Sequence, residues 1–128
     1  MMSGGFALAY QEVLPKFEMA EVIGLLRAGK AHVKLSATDR ASTDGPPYPE
    51  LAPIARAFFA ADPERLPWAS NWPHTGGARS RDPARLDAVE PFQPMDDRRA
   101  LDAIAGSAPD EGARCALLIG NPARLYGL

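Results

Sequence analysis

The sequence has one cysteine, Cys115, so no internal disulfide forms and a reducing compartment is the expectation. It lacks an apolar run near the ~20 residues that span a bilayer, and its start, "MMSGGFALAYQEV", lacks the charged n-region of a secretory leader. A soluble, cytoplasmic protein without a membrane partner is expected. Basic residues are not in excess, 14 against 16 acidic, and Arg79, Arg81 and Arg85 are interrupted by Asp82, so no basic stripe points to nucleic acid. Histidine is also scarce, with only His32 and His74. Three or more ligands make a hydrolytic metal site, and these two stand far apart, so no cofactor is evident.

Thirteen prolines and eleven glycines are plentiful for 128 residues. They gather at "DGPPYPE", "WPHTGG" and "EPFQP", which reads as loop punctuation. Between these stretches the apolar pattern is regular. Residues 1–16 read as a flexible N-terminal segment, and 17–128 as the domain. From Phe17 a helix is predicted, with acids early (Glu18, Glu21), bases late (Arg27, Lys30) and Gly29 as its stop. "AHVKLS" alternates Val33 and Leu35 with polar residues, a strand signature. Leu51, Ile54, Ala55, Phe58 and Phe59 mark a second helix that tolerates Pro49 and Pro53 near its first turn and stops near Ala61. "LPWAS" reads as a second strand with Pro67 near its start.

Asp96 is placed to cap a third helix with Leu101, Ile104 and Ala105 inward. A fourth is predicted over "APDEGARCALLIGNP", with Pro109 at its first position, Gly120 at its end and Cys115 packed as an inert thiol. Strands followed by long loops and helices are βα units of an α/β fold. Two strands hide four amphipathic helices poorly, so the pattern is that of part of a larger α/β object.

The blocks "VKLSATDRAS", "PPYPELAPIARAFFAADPERLPWASNWPHTG", "PFQPMDDRRALDAIAGSAPDE" and "LIGNPARLYGL" resemble the C-terminal part of the amidohydrolase-related hydrolases, in the branch of the dicarboxylate lactonases. The resemblance implies the last two βα units and C-terminal helices of a (β/α)8 TIM barrel, with "HVKLS" as strand seven and "LPWAS" as strand eight. A complete barrel takes about 250 residues, with its active site at the C-terminal ends of the strands. The implied function is hydrolysis: water attacks a lactone, ester or amide carbonyl of a small, carboxylated substrate. The superfamily is rich in metal-dependent hydrolases, so the complete fold is compatible with a divalent metal, although some lactonase-like members work without one. This sequence has no HxH.

The family's eighth-strand signature is Trp, a small residue, Ser, Asp, Trp, Pro, His, and its aspartate is the general base or a metal ligand. Here the position is Asn71, in "WASNWPH". An amide does not accept a proton near neutral pH, so it orients water or binds an oxygen instead of acting as base. Arg40 resembles the family's contact to a substrate carboxylate, a role suited to a planar guanidinium; the plain alternative is a loop ion pair with Asp39 or Asp44. His74 and Ser36 are the further substrate-binding candidates, set against a histidine bonded to a backbone carbonyl and a packed serine. Lys34 is open between barrel lumen and solvated edge, Trp68 and Trp72 are read as packing residues, with a pocket wall as the alternative for Trp72, and Tyr126 as a C-terminal anchor. The isolated chain is expected to be incomplete and inactive. The alternative is a non-enzymatic remnant, or a module for a small ligand or protein, that self-associates through strand edges.

Overall fold

The computed structural model describes residues 16–42, 44–75 and 87–128, without the side chains of residues 16–18 and 39. The flexible segment expected over residues 1–16 and the arginines 79, 81 and 85 fall almost entirely outside these. Helix α1 spans Lys16–Arg27, and Gly29 follows at φ 69, the left-handed conformation that ends helices where a side chain is missing. A single turn, α2, spans Thr38–Ala41. A 3-10 turn at Pro49–Leu51 leads into α3, Ala52–Ala61, which Asp62 ends. Both prolines therefore sit where their missing N–H groups cost nothing.

Helix α4, Asp97–Ala105, is capped as its sequence predicts, Asp96 Oδ1 accepting from Arg99 N at 3.1 Å. Helix α5, Glu111–Cys115, starts two residues later than expected, with Asp110 as its cap accepting from Ala113 N at 2.8 Å. Asp110→Ala removes that acceptor and is expected to cost about 1 kcal/mol, read as a lower urea midpoint at an unchanged m value.

The two predicted strands run side by side and parallel, but neither becomes a regular strand among the described residues. Leu35 and Trp68 form a parallel bridge. Val33 N donates to Arg65 O (3.0 Å), Leu35 N to Pro67 O (2.8 Å) and Ala69 N to Leu35 O (3.2 Å). The next rung needs an N–H at residue 67, and proline has none. Pro67 therefore shortens the ladder to a bridge. The outward-facing Trp68 N–H goes instead to Leu117 O at 3.4 Å.

That acceptor exists because the fourth predicted helix does not stop at Gly120. After α5 the chain widens into a π turn, Ala116–Gly120, and continues as α6, Asn121–Tyr126. Asn121 N bonds Ala116 O, five residues back. A partner five residues beyond Leu117 would be the N–H of residue 122, a proline. The Leu117 carbonyl is thus left without a donor inside its helix, and Trp68 supplies one. Glycine and proline here produce a bulge instead of an end.

Val33 and Leu35 are fully buried beneath α1 and α3, and Leu26, Phe58, Ile104 and Leu117 close the core around them. Cys115 is exposed, contrary to its expected packing, with Sγ 3.7 Å from Glu111 Oε1. It lies on the outer side of the final helix while Ala113 and Leu117 face in. No helix among the described residues is long and apolar enough to cross a membrane.

Candidate functional site

The parallel arrangement puts the segments after Leu35 and after Ala69 at one end of the molecule. Three residues there have left-handed backbones: Ala37 (φ 59), Asn71 (φ 67) and His74 (φ 59). Such residues are uncommon outside glycine and concentrate at functional loops. Asparagine and aspartate tolerate this conformation through their short polar side chains. The local backbone therefore accepts either residue at position 71.

One bond ties the two segments together. Arg40, exposed in the last turn of α2, donates Nη2 to Thr75 O at 2.6 Å, across 35 residues. Among the described residues no ion pair joins Arg40 to Asp44. The guanidinium keeps its remaining N–H groups for another acceptor. Ser36 is buried at the end of the first segment. Asn71 is half-buried, its carbonyl accepting His74 N at 3.1 Å. Ser70 Oγ accepts Trp72 N at 3.2 Å, while Trp72 itself is 77% exposed and is not the packing residue expected. Trp68 does pack on the core, with its indole N–H buried and without a hydrogen-bond partner.

His74 is 5% exposed. Its carbonyl accepts Gln93 N at 2.8 Å, which draws the returning chain over the turn. Its Nε2 lies 2.9 Å from Asp97 Oδ1 at the start of α4. The ring is turned so that the N–H misses hydrogen-bond angles, and both atoms, with Nδ1, are otherwise unpartnered. A small rotation of the ring aligns a contact already this short. Thr38 Oγ1, buried in α2, is likewise unpartnered. Asp97 was missed in the sequence, where only its neighbour Asp96 stood out, as a helix cap.

The opposite end holds a groove of about 300 Å³ lined by His32, Glu64, Arg65 and Arg124. Burial, then the charge of Arg65, lowers the His32 pKa below its ordinary value. The unfolded chain therefore binds this proton more readily, so the contribution of His32 to stability is lost as pH falls through 6.5 towards the folded pKa. His32→Gln is expected to flatten that part of the urea-midpoint profile between pH 5 and 7.5. Lys34 is half-buried, with Nζ 6.0 Å from the centre of the Tyr126 ring, a contact that ties the final helix to the first segment.

His32 and His74 thus stand at opposite ends of the paired segments. Among the described residues no three His, Cys, Asp or Glu side chains are gathered for a metal ion. The donor set among these residues does not fit one.

Among the described residues the fold is a short parallel pairing with its polar loops at one end, followed by a helical tail. The chain belongs to the amidohydrolase family, whose model matches residues 13–128. Within it, the chain is 40% identical over 96 residues to 4-sulfomuconolactone hydrolase of Rhizobium radiobacter, covering 75% of this chain and 28% of that protein. It is 33% identical over 111 residues to D-galactarolactone isomerase of Agrobacterium fabrum, covering 87% and 34% respectively. An apo crystal structure from Agrobacterium tumefaciens superposes with a TM-score of 0.65 at 33% identity, over 87% of this chain and 35% of that one. The chain thus spans about a third of the length of these relatives. The named relatives act on lactones, which places this chain in the lactonase-like branch.

Proposed function

We propose that residues 17–128 form the closing part of a (β/α)8 barrel whose site takes a small carboxylated lactone. The paired segments serve as strands seven and eight, and the loops after them as the rim. The observation that carries this reading is the bond from Arg40 to Thr75, which brings a guanidinium against the turn containing Asn71 and His74. Arg40 grips the substrate carboxylate through its remaining donors. Asn71 holds the attacking water or the carbonyl oxygen, and Ser36 and His74 complete the polar lining.

In this reading the ancestral reaction is addition of water to the lactone carbonyl with opening of the ring ester. Asn71 does not take the water's proton, and the other strands of a barrel come from polypeptide outside this sequence. The isolated chain therefore binds but does not turn over. Position 71 also supports a second reading, a ligand-binding module without catalysis, because an amide retains oxygen recognition while losing basicity. We assign the protein to the cytoplasm on its single cysteine.

The test is titration of the chain with muconolactone, followed by NMR. Binding is expected, and Arg40→Ala weakens it about tenfold or more, from loss of a charge-assisted contact worth about 1.5–3 kcal/mol. Equal binding by the variant removes Arg40 from the site. Ring opening by the unmodified chain contradicts the assignment at Asn71.

A further inference from the structure

We propose that Asp97 is a positioning residue for His74, fixing its ring as the Nε2-protonated tautomer and leaving Nδ1 as an acceptor for the water that accompanies the bound lactone. The second half of this rests on the lactone-binding reading above; the first half does not.

The turn at His74 is held from both sides. Its amide bonds Asn71 O at 3.1 Å and its carbonyl takes Gln93 N at 2.8 Å. With the backbone fixed at φ 59, the remaining freedom is rotation of the imidazole. Asp97 Oδ1 stands 2.9 Å from Nε2 and is itself shielded from solvent, although the Asp97 side chain as a whole is 46% exposed. A carboxylate oxygen only accepts, so the nitrogen facing it carries the hydrogen. In a neutral imidazole the other nitrogen then holds a lone pair. That nitrogen, Nδ1, is buried and has no partner among the described residues. A buried acceptor without a donor is costly, and a ligand O–H or an ordered water answers the cost. The amide at Asn71 accepts a hydrogen bond but is not basic, so the lone pair on His74 supplies the basic acceptor that a carboxylate at position 71 would have given.

Asp97 reaches this place through the start of α4. Asp96 caps that helix, which leaves the next residue at the first helical position and free to face the turn. Its role is separable from capping, so Asp97→Ala leaves the helix start intact.

The experiment is long-range nitrogen–proton NMR of the imidazoles in the full chain at neutral pH. His32→Gln identifies the two rings. His74 is expected as a single Nε2–H tautomer. Asp97→Ala is expected to give a mixture of both tautomers with the melting temperature nearly unchanged, and Asp97→Asn, which retains an accepting oxygen, restores the single form. An Nδ1–H tautomer in the unmodified chain, or no change in Asp97→Ala, overturns the proposal. Muconolactone is then added. A shift at His74 Nδ1 alongside one at the Arg40 guanidinium supports the acceptor role; a shift at Arg40 alone overturns it. Silence at both rejects lactone binding, while the tautomer result still decides the positioning.

Discussion

Phe58→Ala is expected to destabilise the domain by about 3–5 kcal/mol, the range for removing a buried phenyl ring. Phe58 is 1% exposed on the inner face of α3, the helix that packs against both α1 and α4. Its neighbours Ala55 and Phe59 are also buried and fixed by the same helix, so they do not collapse into the gap. Domains of this size hold only about 5–15 kcal/mol in total, so the variant loses a large share. Urea unfolding followed by circular dichroism checks it, with Phe58→Leu as the reference for a smaller volume change. A loss under 1 kcal/mol would mean that α3 does not seal the core.

Asn121→Ala is expected to cost about 2–4 kcal/mol, because it strands two carbonyls, each worth about 1–3 kcal/mol when buried unpaired. Asn121 is 1% exposed. Its amide nitrogen donates to Pro63 O at 2.7 Å and Leu66 O at 2.9 Å, 58 and 55 residues away. Its oxygen receives Arg124 Nη2. Asn121→Asp separates donor from shape: it keeps the volume and the Arg124 contact but faces two carbonyls with an acceptor. It is expected to be no more stable than the alanine variant. If it matches the parent in thermal melting, the amide donor is not what holds this helix to the second segment.

Much of this fold was legible in the sequence where the signal is local. The spacing from Leu51 to Phe59, the prolines ahead of it, the Asp96 cap and the Gly29 stop all depend on residues within a turn or two of one another. The family was legible too, from blocks spread along the chain, and the matching relatives bear it out. The misses come from interactions across the chain. Gly120 and Pro122 look like a helix end unless one knows that Trp68 supplies the donor the helix lacks. Pro67 reads as a strand start, and its effect appears only against Val33 on the facing segment. Cys115 sits in an apolar run, yet the face it occupies depends on how the final helix rolls against Leu66. In the site, Arg40, His74, Asn71 and Ser36 could be nominated from motif alone. The Arg40–Thr75 bond and the approach of Asp97 to His74 could not, because each joins residues separated by a loop.

The widened turn at Ala116–Gly120 also has a consequence for motion. The Trp68 amide bonds to a carbonyl of that turn, so its exchange with deuterated solvent requires the helix to give way. Segments linked in this manner open together as one cooperative unit. Deuterium uptake at Trp68 and along residues 111–126 should therefore share a single opening free energy, distinct from that of α1.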